Sequence, residues 1–416
     1  MKTQKHILII GGGIIGLFSA FYLNRAGYRV TILEKNAPLD NCSLGNAGMI
    51  VPSHFVPLAA PGMVKKGLRW MFNPESPFYI KPRMDWDLIS WGLKFIQAAR
   101  PEKAEAAIPV LRDLNLESKK LYRELLQENL FDFAFKEEGI LMLYKTEKAA
   151  EEEGKTAELA NQIGIEAQIL NRQEVEALDP KITFDVLGAA YYPGDAHLYP
   201  NKLLENLSQY LVSKGVNIVY QTEITDIITD REHILQVKAG DQTYSPDLTV
   251  MAAGAWSGTL AKSLGITLPM QGGKGYSLTL DRFSSSPQIP AILTEAKVTV
   301  TPMENQLRFA GTLEIAGENL SVNMRRVKGL LSSVSRYYPQ INPELPVESK
   351  VWRGLRPCSP DGLPYIGYSH KYRNLIFATG HAMMGVSLAP VTGKLVSQLV
   401  ERKNPEILKM LIPERY

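Results

Sequence analysis

The sequence predicts an α/β fold in which one nucleotide-binding sheet is assembled from separated stretches of chain, with an α+β domain inserted between them. Two observations carry this expectation: a glycine-marked strand–helix–strand unit opens the chain, and later strands end in small residues only after long insertions. A length of 416 residues also exceeds what a single hydrophobic core usually holds.

The opening unit is HILIIGGGIIGLFSAFYLNRAGYRVTILEK. A buried strand at Ile7 to Ile10 runs into Gly11, Gly13, Ile14, Ile15 and Gly16, then into a helix with apolar periodicity through Phe18, Ala20, Phe21 and Leu23. Gly27 stops that helix, and a second strand, Arg29 to Leu33, closes on Glu34 and Lys35. Gly11 permits the tight turn, Gly13 lets the backbone approach a pyrophosphate, and Gly16 lets helix pack on strand. The helix N-terminus offers free N–H groups to the phosphates, and Glu34 lies at the spacing where its carboxylate accepts from ribose hydroxyls. An isolated GxGxxG means little, but strand, helix and terminal acid here agree on a dinucleotide. The acid at 34 argues against a 2′-phosphate. NAD and FAD remain open from this unit alone.

Three later segments return to the cofactor. CSLGNAGMIVPSH supplies Ser43, Asn46, Ala47, Gly48 and Met49, small residues suited to close approach by a flat ring, although a flexible surface loop has the same composition. VMAAGAWSG ends a buried strand at Ala253 and Gly254, after a helix at Asn201 to Lys214 and strands near Val216 to Tyr220 and Thr249 to Ala252, with Ile224 assigned to the same surface. NLIFATGHAMMGVSLAPVTGKLVSQLV supplies Gly380, His381, Met384, Gly385 and Val386, then an amphipathic helix whose N-terminal pole suits a ring that gains negative charge. Long insertions between such returns are unlike the regular βα repeats of an NAD domain. The cofactor domain is therefore placed at 1–80, 198–265 and 350–416, and the inserted domain at 81–197 and 266–349. Expected elements of the latter are strands at Ile140 to Tyr144, Tyr276 to Leu280 and Leu307 to Gly311, and a solvated helix across Lys145 to Ile163.

Composition narrows the classes. Net charge is +3, from 46 basic and 43 acidic residues spread along the chain, which gives no electrostatic footprint for nucleic acid. The two cysteines, Cys42 and Cys358, suit a reducing cytoplasm, and MKTQKHILII reads as a first strand and not a leader. No run reaches the ~18 to 20 apolar residues of a membrane-spanning helix. The six histidines are scattered without metal-ligand spacing, so no metal is expected. Trp86, Ile89, Leu93 and Ile96 form a helical apolar stripe in a region that also holds Trp70 and Trp91. Core packing is the commoner fate of such a stripe; peripheral contact with an inner membrane is the other. Oligomeric state is not legible.

The stretch WRGLRPCSPDG sets Arg356 among apolar, proline-stiffened neighbours. Its charge is costly to desolvate unless a carboxylate or phosphate meets it, either from the protein, such as Asp361, or from a ligand.

With SLGNAGMI, GDAHLYP, VMAAGAWS, KGYSLTL, RFAGTLE, GLRPCSPDGLPYIG and ATGHAMMG in order, the chain resembles the FAD-dependent D-amino-acid oxidase and glycine oxidase superfamily, particularly its bacterial D-amino-acid dehydrogenases. The resemblance implies a Rossmann-like FAD-binding domain, to which Gly354 also contributes, under an α+β cap that carries the substrate. It implies that Arg356 grips the substrate carboxylate, with Tyr276 and His54 as further contacts to carboxylate or amine. The implied reaction is hydride transfer from Cα to flavin, giving an imino acid, then a 2-oxo acid and ammonia, with electrons passed to a quinone or other carrier. A dedicated hydroxy-D-proline or D-proline dehydrogenase, forming a pyrroline carboxylate, is the alternative substrate reading. A flavin-bound, partner-dependent subunit is the alternative of another class. Two departures stand out: the GH…G loop reads Ala382, Met383, Met384 where glycine oxidase-like enzymes can carry a second arginine, and Cys358 is not placed as in enzymes with cysteine-linked flavin. Noncovalent FAD and a bystander thiol follow.

Overall fold

The computed structural model describes residues 4–63, 78–80, 85–281 and 285–416. Its first sheet has six strands in the spatial order Tyr365–Tyr368, Leu375–Thr379, Leu248–Met251, His6–Ile10, Arg29–Leu33 and Asn217–Val219. All neighbours are parallel except the first pair. The opening strand is therefore central, buried on both faces at every residue, which is why it reads as an uninterrupted apolar run. Helices Ile14–Arg25, Pro200–Ser213 and Ala389–Val400 cover the sheet and share its core through Leu17, Phe18, Phe21, Leu207 and Val396. Each such buried side chain contributes roughly 1.5–3 kcal/mol. Helices Ile14–Arg25 and Ala389–Val400 approach closely because Gly393 lacks a Cβ, which would lie 2.4 Å from the Phe18 carbonyl oxygen.

The second sheet is mixed and larger, running Trp352–Cys358, Gln271–Asp281, Gln306–Ile315, Val298–Met303, Ala291–Leu293, Ile140–Tyr144, Gly188–Tyr192 and Gln168–Asn171, with Phe78–Ile80 beside Gln306–Ile315. Helix Met324–Tyr337 closes its outer face, packing Val327, Leu330, Leu331 and Val334 onto Leu278, Val300 and Phe309. The mixed α/β architecture expected from the sequence is what the chain forms.

Several local expectations need revision. Strand Trp352–Cys358 pairs antiparallel with Gln271–Asp281, so the segment carrying Arg356 belongs to the second sheet, and the chain rejoins the nucleotide sheet only at Tyr365. Phe78–Ile80 likewise joins the second sheet. Helix Pro101–Glu128, placed in the inserted domain from sequence, buries Leu111, Leu114, Leu121 and Tyr122 in the nucleotide-domain core. Helix Glu147–Gln162 is only partly solvated, because Ala149, Ala157 and Ala160 face inward. Helix Trp86–Ala98 buries Trp91 and Ala98, and Trp91 Nε1 donates to the Cys358 carbonyl at 2.9 Å. Its other face therefore points outward, with Trp86 78% exposed, Leu93 58%, Ile96 52% and Ile89 43%. Trp70 lies outside the described residues. No helix among the described residues is long and apolar enough to cross a membrane.

Candidate active site

Between the two sheets lies a cavity of about 560 Å³. Gly11, Gly13, Ile14, Ile15, Glu34, Lys35, Ser43, Asn46, Ala47 and Met49 line it from the N-terminal unit and the loop that follows. Ile224, Ala253, Gly254, Gly354, His381, Met384, Gly385 and Val386 line it from the later returns. The turn at Gly11 has φ +109°, and a Cβ there would stand 2.5 Å from the Ala252 carbonyl oxygen, so only glycine fits. Gly16 lies behind the cavity wall, where a Cβ would meet the Gly11 carbonyl at 2.0 Å; it fixes helix against strand and touches no ligand space. Gly48 and Gly380 also stand off the lining and serve as left-handed turns, with φ of +72° and +81°.

These residues fit a dinucleotide. The helix beginning at Ile14 has no acidic residue in its first turn, so its positive pole is left for a phosphate. Glu34 Oε2 accepts from the Gly12 N–H at 2.7 Å and Oε1 from the Asn36 N–H at 3.0 Å, which fixes the carboxylate while leaving lone pairs for hydroxyls. Beside it the Lys35 ammonium lies 3.5 Å from the Trp256 ring centroid, and Trp256 also lines the cavity, a residue the sequence reading passed over. His381 Nε2 is bonded to Thr392 Oγ1 at 2.9 Å, whereas its buried Nδ1 has no hydrogen-bond partner among the described residues and is open to a ligand. Burial holds that imidazole neutral, with its pKa lowered to about 3.

A second arginine, unforeseen from sequence, holds the cofactor-side loop. Arg308 is buried and donates from Nη1 to the Leu44 and Asn46 carbonyls, both at 2.7 Å, from Nη2 to Asn201 Oδ1 at 2.8 Å and from Nε to Thr279 Oγ1 at 2.8 Å. It belongs to the RFAGTLE stretch, and its strand parity carries it toward the nucleotide layer. Desolvation lowers its pKa to about 10, so it stays cationic.

Arg356 lines the same cavity. Its Nη1 donates to the Thr312 carbonyl at 2.6 Å, and burial lowers its pKa. No carboxylate pairs with it among the described residues. Asp361, the candidate protein partner, is instead taken bidentately by Arg415, at 2.7 and 2.9 Å. Gly275 makes room for the guanidinium, since a Cβ there would lie 2.3 Å from Nη1. The neighbouring Cys358 thiol is buried and pushed up to about 12, which keeps it a neutral bystander.

His54 lines the cavity as well, with a pKa lowered to about 4 by burial and, secondarily, by Lys297. Tyr276 does not line it. Its ring lies in the core beneath helix Met324–Tyr337, and its hydroxyl accepts from the Asn323 N–H at 3.0 Å. Gly275 faces the cavity, so the alternation of the strand sends residue 276 to the opposite side.

Comparison with known proteins places these features in context. Residues 6–399 match the family described as "FAD dependent oxidoreductase". The chain is 27% identical over 410 residues to D-amino acid dehydrogenase of Helicobacter pylori (strain ATCC 700392 / 26695), covering 97% of this chain and 98% of that one. It is 29% identical over 411 residues to D-amino acid dehydrogenase of Granulibacter bethesdensis (strain ATCC BAA-1260 / CGDNIH1), covering 96% and 97%. Among solved structures, glycine oxidase from Geobacillus kaustophilus superposes with a TM-score of 0.79 at 25% identity, over 99% of this chain and 100% of that one. L-proline dehydrogenase from P. horikoshii shares the fold, with a TM-score of 0.75 at 18% identity over 100% and 98%.

Proposed function

The chain belongs to the FAD-dependent oxidoreductase family, and on that premise we propose that it dehydrogenates a free D-amino acid with an uncharged side chain. The observation that carries this reading is Arg356, a half-buried guanidinium that faces the cavity without a protein acid among the described residues. A substrate α-carboxylate supplies the missing counter-charge, and a bidentate pair fixes the direction of the Cα–H bond. Bound FAD supplies the two-electron acceptor. Enclosure between the sheets orients the substrate and excludes water while the Cα hydrogen leaves with its bonding electrons. Water then hydrolyses the released imino acid to a 2-oxo acid and ammonia. The D-amino acid dehydrogenases among the relatives support the same substrate class.

The second sheet contributes Gly275, Ile292, Thr299, Ala310, Trp352 and Leu355 to the cavity wall beside Arg356, which is the charged member of that set. A wall that is apolar apart from Arg356 also accepts a cyclic substrate, so D-proline or a hydroxy-D-proline is the second reading, its product a pyrroline carboxylate that keeps its nitrogen. Anaerobic reduction of the flavin by a panel of D- and L-amino acids, prolines and hydroxyprolines tests both. Bleaching by several acyclic D-amino acids supports the first reading, bleaching confined to prolines the second, and no bleaching by any refutes both.

For the acceptor we propose a quinone approached at a lipid surface, on the ground that the apolar face of helix Trp86–Ala98 is exposed. If quinone reduction is unaffected by liposomes and the protein does not sediment with them, this part fails.

A further inference from the structure

Behind His54 lies a buried carboxylate that the proposed reaction has not yet used. Asp195, in the turn before the short strand Ala196–His197, is 0% exposed. Its Oδ1 accepts the Ser53 N–H at 3.0 Å, its Oδ2 accepts the Ser53 hydroxyl, and Ser53 Oγ lies 3.1 Å from His54 Nδ1. With Nδ1 taken, Nε2 is the imidazole nitrogen left for the cavity. The short pairing of Ala196–His197 with Met49–Ile50 brings these distant stretches together.

We propose that Asp195, acting through the Ser53 hydroxyl, sets the tautomer of His54, so that Nε2 accepts the proton of the substrate's ammonium group. The inference rests on the amino-acid oxidation proposed above, because only a neutral amine can donate its electrons to the developing C=N bond. A single hydrogen on Ser53 decides the direction. When Asp195 is ionised, Ser53 donates to it, His54 Nδ1–H donates to Ser53, and Nε2 presents a lone pair. When Asp195 is protonated, its Oδ2–H donates to the Ser53 hydroxyl, Ser53 donates to His54 Nδ1 and Nε2 carries the hydrogen, while the Ser53 N–H bond to Oδ1 is unchanged. On transfer one proton leaves the substrate nitrogen for Nε2, the Nδ1 proton passes to Ser53, and the Ser53 proton passes to Asp195. His54 is then the catalytic base, and Ser53 and Asp195 are positioning residues.

The surroundings place the switch in the neutral range. Burial raises the Asp195 pKa to about 7 against the opposing pull of the Ser53 bonds and Lys119. Lys119 is itself engaged by Glu137 at 2.7 Å and by the Gly194 carbonyl at 2.6 Å. Tyr192 is the other titratable group that Asp195 influences, and its hydroxyl stays protonated because burial raises its pKa. Lys297 faces His54 and, with burial, keeps the imidazole from becoming cationic.

The test uses Asp195→Asn, which keeps an acceptor for the Ser53 N–H but places an amide donor against the Ser53 hydroxyl. Ser53 must then donate to His54 at every pH, and Nε2 keeps its hydrogen. In ¹⁵N-histidine-labelled holoenzyme, with His54 assigned by His54→Gln, wild-type Nε2 should change from protonated to unprotonated as pH rises through about 7, and the Asn variant should not change. For the best amino-acid substrate, wild-type kcat/KM should rise over the same interval; Asp195→Asn should lose that limb and at least about tenfold in rate, with FAD content intact. Ser53→Ala, which cuts the link, should likewise abolish the pH-dependent tautomer and serves if the Asn variant misfolds. A wild-type Nε2 that keeps one state throughout, or an Asn variant with the wild-type pH limb, overturns the proposal. If no amino acid reduces the enzyme yet the tautomer switches, the relay is supported and only the substrate reading falls.

Discussion

Replacing Arg356 with Met separates a ligand-binding arginine from a structural one. The guanidinium makes one hydrogen bond to the protein, to the Thr312 carbonyl, and no ion pair among the described residues. Met of similar length therefore removes a partly desolvated charge and orphans a single carbonyl, two effects of opposite sign of about 1–3 kcal/mol each. The melting temperature of Arg356→Met should stay close to wild type. Binding should not be spared, because truncating one partner of a buried charge pair costs about 2–5 kcal/mol, a loss of roughly 30-fold to a few thousand-fold in kcat/KM. Arg415→Met is the control. Its guanidinium holds Asp361 bidentately at 2.7 and 2.9 Å, so removing it strands a half-buried carboxylate and should lower stability by about 3–5 kcal/mol. Steady-state kinetics and thermal unfolding of both holoenzymes decide the matter. An Arg356→Met protein with wild-type kcat/KM, or one that melts as early as Arg415→Met, would rule out Arg356 as the carboxylate-binding residue.

Arg308→Leu would strip partners from the Leu44 and Asn46 carbonyls, and fluorescence titration of apoprotein should show FAD affinity falling by about tenfold or more. Tyr276→Phe should leave kcat/KM unchanged and lower stability by about 1–3 kcal/mol, since the hydroxyl serves the Asn323 N–H and the Glu314 carboxylate within the core; a large kinetic loss would return Tyr276 to the active site. The raised Asp195 pKa implies that the folded protein keeps a proton the unfolded chain has lost, so this group's stabilisation is present in acid and is lost as pH rises toward about 7. Asp195→Asn should therefore gain melting temperature relative to wild type between pH 4 and 8. Trp86→Asp, at a site 78% exposed, should leave unfolding unchanged and abolish any sedimentation with anionic vesicles.

Local chemistry was legible in the sequence wherever it depended on neighbours along the chain. The opening strand, Gly11 turn, helix and Glu34 form one continuous unit, and Arg356 announced itself by its apolar context. What depended on pairing was not. The strands Gln271–Asp281 and Gln306–Ile315 shift register between Lys274 and Tyr276, and a one-residue difference in facing exchanges Gly275 for Tyr276 at the cavity. Trp352–Cys358 looked contiguous with the nucleotide segment that follows it, but its hydrogen bonds go to the second sheet. The helix Trp86–Ala98 has apolar residues on both faces, and sequence alone did not reveal that Trp91 would take the inner position and leave Trp86 outside. Asp195 lies 142 residues from Ser53, a separation at which no spacing rule operates.

The proposed substrate contact joins an α-carboxylate in the cavity to Arg356. Stopped-flow anaerobic reduction of the holoenzyme by the best D-amino acid and by its α-carboxamide measures this directly, since the two share Cα, amine and side chain. Rapid bleaching by the acid and reduction slower by about 30-fold or more with the amide are expected, a difference that collapses in Arg356→Met. Equal reduction by acid and amide in the wild-type protein would contradict that contact.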